Sequence, residues 1–340
     1  MTYEPSCPVP FSAYEHVTLA HGGGGRVMQR LIEELFLRSF GTHAASAHDA
    51  AALSLSGVPM VSTDAFTVRP LFFPGGDIGS LAVHGTINDL SVGGAAPRYL
   101  TASFILEEGL PLVTLARIVS SMAAAAEASG VRVVAGDTKV VERGKGDGVF
   151  ITPTGIGERL AETGPARIRP GDAILVSGPV GDHGTAVMLA REGLELPPGL
   201  VSDAAPLWPT ISALMSAGEI HCMRDATRGG VATVVAELAR ATGLGARLDE
   251  EAIPVRPEVS DACELLGLDP LYVACEGRFV AFVPEAALPR ALDALRAFDA
   301  QAALIGQVRE AHPGVVTIRG PLGGERVLDI PNGEQLPRIC

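Results

Sequence analysis

The chain alternates between two apolar periods, and it does so in two successive series. Apolar runs of strand length occur at residues 58–62, 99–106, 131–135 and 149–156, while 79–90 and the Ala-rich 112–129 carry apolar residues at helical spacing. Residues 166–172 (ARIRPGD) interrupt both periods. A second series follows, with strands predicted at 173–177, 279–283, 303–308 and 315–318 and helices at 207–216, 231–241 and 285–298. This alternation predicts a mixed α/β (α+β) chain of two domains, and 340 residues suffice for two cores. The expected divisions are a leading segment 1–39, a first domain 40–165, a second domain 166–325 and a mobile tail 326–340. The last ten residues (PNGEQLPRIC) hold two prolines and no apolar period, so they read as extended.

Charge narrows the function. The formal net charge is −13 and no Lys/Arg cluster stands out, which argues against a nucleic-acid partner. The cysteines are Cys7, Cys222, Cys263, Cys275 and Cys340. None forms a C-x-x-C pair, so neither a disulfide framework nor a zinc site is indicated, and a reducing compartment fits. The first residues lack a basic stretch followed by an apolar run, and no run of 18 apolar residues exists. The expectation is a cytoplasmic protein without a membrane partner.

Single aspartates punctuate the pattern at predicted strand ends and glycine turns: Asp64, Asp77, Asp89, Asp137, Asp182 and Asp225. Mg²⁺ takes oxygen ligands and commonly bridges one or two carboxylates to phosphates, so such residues suit a Mg²⁺–nucleotide site. An Asp beside a Gly is equally at home in an ordinary Asx-turn. Asp89, within Thr86-Ile87-Asn88-Asp89-Leu90, lies in an apolar context where a turn is not the natural reading. The run His21-Gly22-Gly23-Gly24-Gly25 opens a predicted helix over 26–39, an arrangement that can cradle phosphate or serve as a linker. It is not a P-loop, since no G-x-x-x-x-G-K-[ST] occurs.

Taken in order, several motifs resemble the HypE family of hydrogenase maturation proteins over nearly the whole chain. They are Ala20–Arg26 (AHGGGGR), Ser62–Phe66 (STDAF), Pro70–Gly79 (PLFFPGGDIG), Gly85–Leu90 (GTINDL), Gly136–Val140 (GDTKV), Gly181–Gly184 (GDHG), Arg224–Gly230 (RDATRGG) and the terminal Pro337-Arg338-Ile339-Cys340. The resemblance implies a two-domain fold shared with aminoimidazole ribonucleotide synthetase, selenophosphate synthetase and thiamine monophosphate kinase. It also implies a homodimer in which first-domain strands of both subunits form a barrel. The glycine loop lacks the reactive Cys of selenophosphate synthetases. The implied activity is ATP-dependent: a HypF-type transferase places a carbamoyl group on the C-terminal cysteine, the HypE protein dehydrates it to a thiocyanate, and a HypC–HypD complex accepts the cyanide.

On this resemblance the expected roles are as follows. Cys340 carries the substrate, and Glu276, in Val273-Ala274-Cys275-Glu276-Gly277, is the base, with a turn carboxylate as the alternative. Asp64, Asp89 and Asp137 hold Mg²⁺, with Asp77 and Asn88 beside them. Lys139, two residues along a strand from Asp137 and therefore on its face, meets phosphate or substrate. His21 and Gly22–Gly25 approach the phosphates, while His183 and Asp225 face the cleft from the second domain. The tail from Pro331 can reach roughly 33–36 Å, enough to serve two sites. A small-molecule kinase of the same superfamily and a non-enzymatic carrier are the competing readings.

Overall fold

The computed structural model describes residues 14–41, 50–330, 333, 336 and 338–340. Cys7, His43, His48 and most of the segment 331–337 lie outside the described residues.

The first half is built on a four-stranded sheet in the order β1-β6-β4-β5: β1 (Pro59–Thr63), β4 (Ala95–Glu107), β5 (Arg132–Val141) and β6 (Val149–Arg159), while the short β2 (Phe72–Phe73) and β3 (Gly76–Asp77) pair with each other. Strand β4 runs parallel to β5, and the crossover between them is helix α4 (Leu112–Ala128). Helix α4 and α3 (Ile78–Val92) cover one face, where Leu81, Ile87, Leu100, Leu115, Ile118 and Ile151 are buried. The other face is open, and Val61 and Ile105 point outward from it. β1 and β5 are free edges, so within one chain this sheet does not close into the expected barrel.

The second half is a seven-stranded sheet in the order β13-β12-β9-β11-β7-β10-β8. Strand β7 (Ala173–Val176), flanked by β11 and β10, is an unbroken AILV run buried on both faces, as a strand covered on both sides must be. Strand β10 (Phe279–Val283) shows how the period of two divides the core. Phe279, Ala281 and Val283 pack with α6 (Trp208–Ala217) and α9 (Leu288–Arg296), whereas Val280 and Phe282 pack with α7 (Gly230–Thr242). The remaining strands are β8 (Cys222–Asp225), β9 (Gly245–Asp249), β11 (Ala303–Arg309), β12 (Val316–Arg319) and β13 (Glu325–Leu328).

The predicted elements are present, with three differences. The strand at 131–135 continues to Val141, which puts Asp137 in mid-strand and not at a strand end. The helix after the glycine run is α1 (Arg26–Leu31), then a π-helical stretch (Ile32–Leu37), then α2 (Arg38–Phe40). Strands β8, β9 and β13 and helix α8 (Pro257–Leu266) were not predicted, because four- and five-residue strands such as CMRD and GARLD are too short and too polar to show a period.

The two halves meet along a seam that the end of the chain fills. Leu336 and Ile339 are buried in one cluster with Leu200, Val187 of α5 (Asp182–Glu192), Val259 of α8 and Val273. Among the described residues, no helix is long and apolar enough to cross a membrane.

Candidate active site

Four carboxylates lie within one another's electrostatic reach at this seam. Asp64 follows β1, and its Oδ2 accepts a hydrogen bond from Thr86 Oγ1 at 3.2 Å. Asp89 lies in the last turn of α3, and its Oδ2 accepts from Ser62 Oγ at 2.5 Å. Asp225 ends β8, and Glu276 follows the loop after the short helix 270–272. Burial first, then the neighbouring Asp89, raises the pKa of Asp64. The same causes push Asp225 up to about 7. Glu276 is raised well above the usual carboxylate range, first by burial and then by Asp225, Asp203, Asp64 and Asp89. Acids so crowded retain protons that exposed carboxylates would lose, which makes this the strongest chemical feature of the molecule.

The backbone around Glu276 is fixed tightly. Its N–H donates to Asp203 Oδ1 at 3.0 Å, and its carbonyl accepts from Asn88 Nδ2 at 3.1 Å. A Cβ at Gly277 would lie 1.8 Å from the Asp203 carbonyl oxygen, so only glycine fits there. Glu276 is 2% exposed, and its Oε1 has no hydrogen-bond partner among the described residues.

The chain terminus is delivered to this basin. Thr67 N–H donates to the Cys340 carbonyl at 3.3 Å and Arg69 N–H to that of Arg338 at 3.2 Å, so residues 338–340 lie antiparallel to 67–69. The Arg338 guanidinium pairs with Asp147. Cys340 is therefore not the freely accessible end expected from its position in the chain. Burial raises its thiol pKa strongly; Glu276, Asp64 and Asp225 add to this, and only Arg228 opposes them.

The other predicted residues divide. Asn88 is fully buried and acts as a clamp: Nδ2 also donates to Ala205 O at 2.9 Å, and Oδ1 accepts from Leu207 N–H at 2.8 Å. Its amide is occupied by backbone groups of the second half, so it ties α3 to the loops at 205–207 and 276. Asp77 N-caps α3, accepting from Gly79 N–H at 2.7 Å and Ser80 N–H at 3.2 Å. Its work is structural: Asp77→Ala is expected to cost about 1–2 kcal/mol of stability in denaturant unfolding while leaving nucleotide affinity unchanged.

Asp137 and Lys139 share a face, as their spacing requires, and pair at 2.7 Å, both largely exposed. They are remote from Asp64 and Asp89. Asp64 bonds β6 at Pro153, which pairs with Ala102 of β4, which pairs with Gly136 of β5. Three strand spacings of about 4.8 Å put the two sites about 14 Å apart along the sheet. The expected trio Asp64, Asp89 and Asp137 is thus not assembled within one chain. Among the described residues, no three His, Cys, Asp or Glu groups converge to hold a metal ion. The glycine run belongs to the Asp137 edge: a Cβ at Gly22 would lie 2.7 Å from Val140 N, while Gly24 and Gly25 border open space. His21 is buried and its Nδ1 accepts from Thr18 N–H at 3.0 Å, so it orders the turn before the loop.

His183 does not face the acids; it bonds the tail. Asp182 beside it is pushed up to about 6, chiefly by burial, and lies 3.5 Å from Arg256. Cys222, Cys263 and Cys275 are buried free thiols, as expected of packed cysteines. Sequence reading missed Asp203 and assigned no role to Arg191, Asp147 or Ser202, all of which act on partners far away in the chain.

Two α/β halves with an acidic basin at their seam define a class. Residues 47–158 match the N-terminal domain and residues 169–319 the C-terminal domain of AIR synthase related proteins. Within that class, the carbamoyl dehydratase HypE of Azotobacter vinelandii is 52% identical over 95% of this chain and 97% of its own. A crystal structure of the hydrogenase maturation protein HypE in complex with ATP is 48% identical, covers 95% of this chain and 99% of that one, and has a TM-score of 0.92. HypE in a HypE–HypF complex is 46% identical over 88% of this chain and 99% of its own, with a TM-score of 0.78. The chain belongs to the HypE family of carbamoyl dehydratases.

Proposed function

We propose that this chain uses ATP to dehydrate an S-carbamoyl group on its own Cys340 to a thiocyanate, the source of the cyanide ligands of a [NiFe] hydrogenase iron centre. The observation that carries the reading is the pairing of residues 338–340 with 67–69, which brings Cys340 within the electrostatic reach of Glu276, Asp64 and Asp225. The docked thiol is held protonated, so the docked position suits work on a group already attached to sulfur, not acquisition of that group. Carbamoylation by a HypF-type partner then takes place with the tail outside, and a HypC–HypD complex takes the cyanide. This reading places the chain in the cytoplasm, where thiols stay reduced.

The chemistry needs the carbamoyl oxygen made into a leaving group. That oxygen attacks the γ-phosphorus of ATP, ADP departs, and one N–H proton is lost. Loss of the second N–H proton expels phosphate and leaves S–C≡N. Glu276, with its unpartnered Oε1, is the base for the nitrogen protons. Asp64 and Asp89 each hold one hydroxyl donor and retain free lone pairs, a two-carboxylate set that fits Mg²⁺. When bound, Mg²⁺ would neutralise charge on the transferring phosphate.

The homodimer is part of this proposal. The open sheet face and the free edges β1 and β5 support closure of the sheet on a second copy. In a dimer that sets β5 of one protomer beside β1 of the other, Asp137, Lys139 and Gly22–Gly25 reach the nucleotide from across the interface. The test supplies a carbamoyl donor with and without ATP and weighs the C-terminal peptide. The expected result is carbamoylation at Cys340 and loss of one water only when ATP is hydrolysed. Water loss without ATP, or none with it, rejects the reading.

A further inference from the structure

The described end of the tail is gripped by its backbone. His183 is fully buried, and its Nε2 donates to the Ile339 carbonyl at 2.9 Å. A carbonyl only accepts, so Nε2 carries the hydrogen and Nδ1 accepts from Ser202 Oγ–H at 2.8 Å. The ring is thereby a neutral, single tautomer, and burial lowers its pKa in the same sense. Ser202 is itself pinned: its Oγ accepts from Ala204 N–H at 3.1 Å, and its N–H donates to Pro74 O at 2.8 Å. The next residue, Asp203, is the one that accepts the Glu276 N–H.

A second grip lies outside the core. Arg191 Nη2 donates to the Arg338 carbonyl at 2.6 Å and its Nε to the Arg69 carbonyl at 3.0 Å. At the gripped turn Arg338 adopts φ 54°, the left-handed region that a residue with a side chain enters only at a cost. This kink sends Ile339 into the core, and the grips offset its strain.

We propose that His183, seconded by Arg191, is a positioning residue for the dehydration: it fixes the Ile339 carbonyl, and so Cys340, in the same frame that fixes Glu276. Both grips take main-chain carbonyls, so they hold the tail whether its sulfur is free, carbamoylated or cyanated. The positioning role rests on the reading that Cys340 carries the substrate; the grip itself does not.

The test is the rate at which iodoacetamide labels Cys340 in the unmodified full chain, read by mass on the C-terminal peptide. His183→Ala should speed labelling about tenfold, the loss of one buried hydrogen bond, and Arg191→Ala, which loses a surface hydrogen bond to the tail, should speed it by a smaller factor. His183→Gln, whose amide can donate to the same carbonyl, should recover most of the protection. Dehydration of the carbamoylated tail should fall by a similar factor with ATP affinity unchanged. Arg191→Ala leaves the core intact and carries the test where His183→Ala fails to fold. Labelling at the wild-type rate in these variants overturns the grip, and full dehydration despite faster labelling overturns the positioning role. Altered labelling in a protein that never dehydrates its tail would leave the grip standing and remove the dehydratase reading.

Discussion

Replacing Cys340 with alanine is expected to abolish thiocyanate formation completely while leaving the fold and ATP binding intact. The substitution removes the atom on which the carbamoyl group is carried, so no residual rate survives from the remaining machinery. The thiol contributes little to stability, because the buried anchors of the tail are Leu336 and Ile339 and its hydrogen bonds come from the backbone. The measurement is mass analysis of the C-terminal peptide after incubation with carbamoyl donor and ATP, beside an unfolding curve and an ATP titration. Turnover at the wild-type rate would mean that the carbamoyl group is processed elsewhere, as in a kinase acting on a free small molecule. The structure sharpens what Cys340 does. Burial and three acidic neighbours suppress its thiolate in the docked position, which in the proposed function makes it a tether there and not a nucleophile.

How much of this was legible in the sequence depends on how local each signal is. Strand β10 and helix α4 could be read because burial on both faces leaves an unbroken apolar run in the one and burial on one face leaves a helical period in the other. Asp64 and Asp89 could be marked from their short motifs, and they do meet, because β1 packs directly on α3. Asp137 carries an equally good motif, yet it stands at the far edge of the sheet. The order β1-β6-β4-β5 separates it from Asp64, and strand order is not a local property. Asn88 and Asp77 show a related limit. Their residue types suit a nucleotide site, but the backbone groups they satisfy become visible only when the chain is folded. His183 is the extreme case: its partner, the Ile339 carbonyl, is 156 residues away and leaves no mark on residue identity at all.

Changing Glu276 to glutamine should lower dehydration by about 10²- to 10⁴-fold, the usual worth of a positioned proton-transfer group. The amide keeps the shape and the backbone hydrogen bonds to Asp203 and Asn88, so carbamoylation of Cys340 and the fold should survive. Single-turnover conversion of the carbamoylated tail is the appropriate measurement; an unchanged rate would remove Glu276 as the base. The pH dependence gives an independent check. A base must be ionised, and burial together with its acidic neighbours holds Glu276 protonated well above the ordinary carboxylate range. Activity should therefore fall as pH drops through a value well above the ordinary carboxylate range. Asp225, itself pushed up to about 7, is the first-ranked charge acting on Glu276 after burial. Asp225→Asn removes that negative neighbour, stabilises the Glu276 carboxylate and should shift the acid limb to lower pH. A limb that stays in place, or moves up, would show that the profile belongs to another group.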